Sequence, residues 1–252
     1  QDSMVVDILN ANIVQNDTTI CEGDSLVLFL NPSSSEYSQG TVFCNGTPTE
    51  IVDVTNPVTG RTWMDRNLGA SRLATSSTDE EAYGDLYQWG RGADGHQCRN
   101  SNTTTVLSST DQPGHGDFIL TTSDPYDWRS TQNDNLWQGV NGINNPCPSG
   151  YRLPTNLELL VECNSWGLGS TNSASAIASP LKLPAAGGRN YNDGQLNYQV
   201  GTYGNYWTSS VVYDRGTGHL TSSYILDFPS TYPDLNGFFP RCFGGSVRCI
   251  KD

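Results

Sequence analysis

The chain of 252 residues carries 13 Lys+Arg against 26 Asp+Glu, a net charge of −13, with charged residues making up only 15% of it. So acidic a chain is repelled by phosphate backbones and anionic lipid heads, which sets aside nucleic acid and membrane insertion or docking as partners. Aromatic residues at 10% exclude a disordered chain, the 26 Gly and 13 Pro demand many turns, and no apolar run approaches the ~20 residues of a membrane-spanning helix.

From Gln1 to about Thr49 the sequence reads as β-structure. Met4, Val5, Val6, Ile8 and Leu9, followed by Ile13 and Val14, form a Val/Ile-rich run that suits a strand better than a helix. Asn16 and Asp17 mark a turn, Ile20 to Leu30 is a second strand candidate, and Thr41 to Cys44 a third. A sheet this small is marginal without a partner layer, so residues 1–49 are expected to act as an arm or a small immunoglobulin-like fragment. A start at Gln1 is expected for a protein secreted through a signal peptide that has been removed.

Beyond Ile51 the texture turns Gly-, Trp- and Tyr-rich. Thr78 to Glu81 forms one capping-box pattern, ahead of Ala82, Tyr83, Leu86 and Tyr87, with Gly84 interrupting it. Thr155 to Glu158 forms a second, and predicts a helix over about 156–165 with Leu157, Leu160 and Val161 on one face. Turns such as Asn192-Asp193-Gly194 then alternate with strand-like runs at Tyr206-Trp207, Val211 to Tyr213, Tyr224 to Leu226 and Val247 to Ile250. The fold class expected is α+β, loop-rich, with short helices and antiparallel strands.

Seven cysteines lie scattered at 21, 44, 98, 147, 163, 242 and 249, with no CxxC pair, which favours disulfides of an oxidising compartment over a zinc site. Spacing does not fix connectivity; Cys21–Cys44 and Cys147–Cys249 are the working pairs, and an odd cysteine is left over.

Six segments occur in order: Thr62-Trp63-Met64-Asp65-Arg66-Asn67-Leu68, Tyr83-Gly84-Asp85-Leu86-Tyr87-Gln88-Trp89-Gly90, Cys147-Pro148-Ser149-Gly150-Tyr151-Arg152-Leu153-Pro154-Thr155, Leu183-Pro184-Ala185-Ala186-Gly187, Tyr206-Trp207-Thr208-Ser209-Ser210 and Ser246-Val247-Arg248-Cys249-Ile250-Lys251-Asp252. Together they resemble the FISUMP family, the Fibrobacter succinogenes major paralogous domain of secreted Bacteroidetes-type proteins. The resemblance covers residues 50–252 and implies a C-type-lectin-like fold in a surface or secreted protein, with little said about chemistry.

None of His96, His115 and His219 stands in a zinc-ligand spacing, and no nucleophile elbow, P-loop or dinucleotide fingerprint is present. The expectation is a non-enzymatic protein without a cofactor. Calcium stays open through the acidic groupings Asp79-Glu80-Glu81 with Asp85, and Asp124, Asp127 and Asp134, each of which also reads as a solvated acidic loop. Gln112-Pro113-Gly114 lacks the third oxygen ligand of the sugar-binding loop of C-type lectins. Trp128 and Trp137 lie in polar stretches and are candidate glycan contacts, with a place in the core as the alternative. Asp2-Ser3-Met4, Asp17-Thr18-Thr19 and Asp24-Ser25-Leu26 resemble the O-glycosylation triplet of exported Bacteroidetes proteins, which makes Ser3, Thr18 and Ser25 candidate acceptors.

Two functional expectations follow. In the first, Val5, Val6, Ile8 and Leu9 form an assembly strand that pairs with a neighbouring copy, giving a self-assembling cell-surface or filament subunit, a homopolymer. In the alternative, the larger domain is an adhesin or lectin-like module that recognises a glycan or a surface protein.

Overall fold

The structure is a computed structural model and describes residues 37–166, 172–196, 199–212, 222–228 and 237–252. The chain divides into two units, Gln1–Glu36 and Tyr37–Asp252, and the second holds all the described residues. The boundary therefore falls earlier than Thr49, and Thr41 to Cys44, expected as a strand, is irregular backbone of the larger unit. Its hydrogen bonds explain this: Val42 N–H goes to the Ala93 carbonyl at 2.7 Å and Thr41 N–H to Ser38 at 3.1 Å, so no strand pairs with it. The expected assembly strand at Val5, Val6, Ile8 and Leu9 and the acceptors Ser3, Thr18 and Ser25 lie outside the described residues.

The elements in chain order are β1 (Asp53–Thr55), β2 (Thr62–Met64), a 3-10 turn (Glu80–Ala82), β3 (Tyr87–Gln88), β4 (Thr103–Thr104), β5 (Phe118–Ile119), β6 (Tyr151–Arg152), α1 (Asn156–Asn164), α2 (Ser173–Ala178), β7 (Gly204–Val211), β8 (Ser222–Phe228), β9 (Phe238–Pro240), β10 (Gly244–Gly245) and β11 (Ile250–Lys251). This is an α+β, loop-rich architecture. A four-stranded antiparallel sheet runs β1-β2-β11-β6, with Ile250 opposite both Trp63 and Arg152. β7-β8-β9 form a second antiparallel sheet, with Trp207 opposite Ile225, and β3-β10 and β4-β5 are two-stranded, the latter parallel. The C-terminal strand β11 thus sits between strands some hundred or more residues away in sequence, and chain closure is non-local.

Three apolar clusters form the core. One gathers Trp89, Trp137, Trp207, Tyr87 and Phe243; a second Trp63, Leu159, Tyr206, Phe228 and Ile250; a third Ile119, Trp128, Leu136 and Cys242. Deeply buried indoles favour a partner for the N–H, which four of them find, while Trp63 Nε1 is left without one. Trp89 donates to the Thr208 carbonyl at 2.9 Å, Trp128 to Trp89 at 2.7 Å, Trp207 to Tyr87 at 2.7 Å, and Trp137 to Asn144 at 3.0 Å. The tryptophans are therefore struts between loops as well as core filling.

Because loops lack ladder partners, their buried carbonyls need other donors, and arginines supply them. Arg248, 2% exposed, donates to Asn67 Oδ1 at 2.9 Å and to the carbonyls of Leu181, Asp65 and Met64 at 2.6, 3.1 and 3.3 Å. Arg189 does the same for Gly194, Cys98 and Ser101. Two disulfides close the unit. Cys44 pairs with Cys98, not Cys21, because residues 41–46 fold into the larger unit and bring its sulfur there; the second bridge joins Cys147 to Cys249. Cys163 and Cys242 are buried free thiols, and Cys21 lies outside the described residues.

Helix α1 begins as its sequence dictates: Thr155 Oγ1 accepts from Glu158 N–H at 3.2 Å, and the Glu158 carboxylate accepts from Thr155 N–H at 2.8 Å. Its buried face, however, is Leu159, Glu162 and Cys163, while Leu157 and Val161 are exposed. Glu162 is drawn inward by Asn56 Nδ2 at 2.6 Å and Thr59 Oγ1 at 3.1 Å, and this hydrogen bonding sets the helix rotation. The Thr78–Glu81 pattern yields only the 3-10 turn, since Gly84 at φ +67° turns the chain away and Asp79 spends its carboxylate on Arg72 and Thr75.

Candidate functional site

Among the candidate residues, Trp128 and Trp137 are fully buried, which removes them as a glycan platform. Their indole N–H groups are already bound to backbone carbonyls, so neither a face nor a donor is left for a sugar.

The acidic groupings are not brought together as calcium ligands; among the described residues no group of three His, Cys, Asp or Glu converges on a point. Asp79 is bound to Arg72 at 2.9 Å, which holds its pKa well below the usual carboxylate range with help from Thr75. Asp134 and Asp127 face Arg241, whose guanidinium lies over the Trp89 ring at 4.5 Å. Burial raises the pKa of Asp127.

His96 is fully buried and works as a structural hinge pin between loops. Its Nε2 accepts from Gln88 N–H at 3.0 Å, so the proton sits on Nδ1, which donates to Asp94 at 2.6 Å. Burial, reinforced by the neighbouring Arg91 cation, lowers its pKa to about 4. Burial opposes ionisation of Asp94, yet His96 and Arg91 together hold that carboxyl below its ordinary range. His115 is partly exposed beside Asp117 and His219 lies outside the described residues. Burial pushes the Cys163 and Cys242 thiols far above their usual pKa, so both stay protonated and poorly nucleophilic.

Described residues of the larger unit line two clefts of mixed polarity. The first, about 330 Å³, lies between the segments around Ser38, Asp94, Gln112 and Asn144. Asn144 is 4% exposed and donates to the Gly90 and Asp111 carbonyls at 2.7 and 2.6 Å, while its Oδ1 accepts nothing. The Gln112-Pro113-Gly114 turn, singled out for its likeness to a lectin loop, contributes Gln112 and Gly114 to this wall.

The second cleft, about 510 Å³, is lined by Asp85 and Arg99, with Glu80, Glu81, Asn45 and Asn100 among its other residues. Asp85 is 6% exposed. Among the described residues neither a hydrogen bond nor an ion pair reaches its carboxyl group. Burial raises its pKa to about 7, against the pull of the Arg99 cation. Gly69, at φ +82°, leaves the space that Asp85 fills: a Cβ there would fall on the carboxyl group. The Asp79-Glu80-Glu81 and Asp85 grouping noticed in the sequence thus does meet around one cleft, in part, with Asp79 turned away to Arg72. Arg99 carried no signal in the sequence; it sits beside the Cys44–Cys98 bridge and is held here by bonds to the Gly84 and Ala186 carbonyls.

No protein-family model, no curated protein and no solved structure matches the chain.

Proposed function

We propose that the protein is a secreted, non-enzymatic structural subunit of the cell surface, in which the N-terminal arm pairs with a neighbouring copy and the larger unit is a C-type-lectin-like domain of the FISUMP type. The observation that carries the assembly reading is the division of the chain at Glu36/Tyr37. The larger unit has its own three core clusters and two disulfides. The smaller one holds the Val5 to Val14 apolar run. A strand-forming segment in that position gains most by adding to a second molecule, and a head-to-tail exchange does not close on itself.

The family resemblance is supported by where its motifs lie. Thr62–Met64, Tyr151–Arg152 and Ile250–Lys251 build one sheet, Tyr87–Gln88 joins β10, Tyr206-Trp207 enters β7, and Arg248 ties the first motif to the last. Secretion is supported by the two disulfides, and no helix among the described residues is long and apolar enough to cross a membrane.

Electron microscopy of the intact chain and of a variant lacking Gln1 to Gln15 tests the reading. The intact chain should give filaments and the shortened one separate folded particles; polymerisation of the shortened chain would overturn it. A second reading, a binding module for a glycan or surface protein, draws on the two clefts. It predicts that the shortened chain retains ligand binding, and absence of binding across a polysaccharide and protein panel counts against it.

A further inference from the structure

Asp85 is a residue the fold does not need in its charged form. The surrounding backbone is satisfied without it: Asp85 N–H donates to Leu68 at 2.9 Å, Asn67 Nδ2 to Tyr83 at 3.1 Å, and Gly69 N–H to Thr49 Oγ1 at 2.7 Å. These bonds hold the two loops rigidly on either side of the carboxyl group, and Gly69 has no side chain to occupy the place it takes. Arg99, the nearest cation, is committed elsewhere. Its Nε donates to Gly84 at 2.7 Å, its Nη2 to Ala186 at 3.0 Å, and its guanidinium rests 5.5 Å from the centre of the Tyr83 ring. No ion pair joins it to Asp85. The remaining charges lining the cleft, Glu80 and Glu81, are acidic and exposed.

A buried carboxylate without a contacting counterion, at the wall of an open acidic cleft, is a preorganised acceptor that lacks its donor. Calcium would require six to eight oxygens, and no such cluster of acidic side chains exists among the described residues. An alkylammonium has three N–H donors and needs only three acceptors. The two Asp85 oxygens offer two, and Asn45, whose Nδ2 donates to the Gly69 carbonyl at 2.9 Å, keeps its amide oxygen as an acceptor. We propose that this cleft binds the primary ammonium group of a small molecule, with the Asp85 carboxylate as its counterion and Glu80 attracting it at the mouth, Glu81 being paired with Arg72 at 3.1 Å.

The charged and titratable groups around Asp85 are Arg99, Tyr87 and, along the cleft, Glu80 and Glu81, the last paired with Arg72. Asp85 itself changes charge between pH 6 and 8, because burial brings its pKa to about 7. Ammonium binding should therefore weaken about tenfold from pH 8 to pH 6 as the carboxylate takes up its proton.

The test is titration of the full chain with n-butylammonium chloride, followed by calorimetry and by the amide resonances of Gly69 and Gly84. Tetramethylammonium chloride, which has no N–H, and calcium chloride are run in parallel. Saturable butylammonium binding at pH 8 is expected, with tetramethylammonium weaker, Asp85→Asn weaker by about tenfold or more, and the loss at pH 6 confined to the unsubstituted chain. Absence of saturable binding, an unchanged affinity in Asp85→Asn, or calcium saturating these amides in place of butylammonium would overturn the proposal. Should Asp85→Asn not fold, the pH profile of the unsubstituted chain decides alone, a flat profile refuting it.

Discussion

A carboxyl group that titrates at about 7, as Asp85 does, is largely charged at pH 8 without a counterion in contact. Its ordinary value is 3.8, so between pH 4 and 7 the folded chain holds a proton that the unfolded chain has lost, and stability falls as pH rises through that window. His96 acts in the opposite sense. With a folded pKa of about 4 against 6.5, it leaves the unfolded chain holding the extra proton in that interval, so stability falls as pH drops. The two slopes oppose each other between about pH 4 and 6.5. Asp85→Asn should therefore unmask the His96 slope and be more stable than the natural chain at pH 8, on the order of 3 kcal/mol, with little difference at pH 4. Urea unfolding across this pH range checks it; parallel stability curves would show that Asp85 ionises freely. Arg248 sits at the other extreme, with its donors spent on four partners. Arg248→Lys keeps a charge but loses the planar fork, leaving buried carbonyls unpaired, and should cost about 2–3 kcal/mol in the same assay.

At the scale of elements, α1 separates what local sequence dictates from what packing decides. Its start was legible because the Thr155–Glu158 box is satisfied within one turn, and Arg152 adds two bonds of 2.8 Å to the Glu158 carboxylate. Its buried face was not legible, because Leu157, Leu160 and Val161 form the more apolar stripe, whereas the fold buries Glu162 against Asn56 and Thr59, a hundred residues away. Leu159→Ala should accordingly cost about 3 kcal/mol, while Leu157→Ala should stay within about 0.5 kcal/mol; equal losses in thermal or chemical unfolding would contradict the observed rotation. The helix α2 escaped notice for a related reason. Ser173–Ala178 is short and has no amphipathic period, and its signal was only the reciprocal cap between Asn172 and Ser175. Trp128 and Trp137 misled in the reverse direction: polar flanking sequence suggested exposure, but those polar neighbours are satisfied by the loops the indoles hold together.

At the scale of the whole molecule, the strands at Tyr206-Trp207 and Tyr224 to Leu226 were readable from their runs of aromatic and branched residues. The pairing of β11 between β2 and β6 was not, since it depends on contacts across most of the chain. The Asp85 cleft was half readable for the same reason: its acidic residues cluster in sequence, whereas Arg99 and Gly69 arrive through tertiary closure. The disulfides fasten that closure unequally. Cys147–Cys249 spans 102 residues and Cys44–Cys98 spans 54, a difference that loop-closure entropy alone makes worth only about 0.6 kcal/mol. Burial separates them further. Cys147 and Cys249 are 4% and 0% exposed within the largest core cluster, next to the β2-β11 junction, while Cys44 and Cys98 are half-buried. Replacing Cys147 and Cys249 by Ala removes both a cross-link and packed core volume, and should cost about 4 kcal/mol or more. The Cys44→Ala, Cys98→Ala chain should lose less, about 2–3 kcal/mol, and its effect should concentrate on the wall of the Asp85 cleft, which Cys44 lines. Unfolding in denaturant measures the first comparison and amide exchange at Gly69 and Gly84 the second. Equal losses for the two bridges would mean that chain entropy, rather than the packing of the closing strand, holds the unit shut.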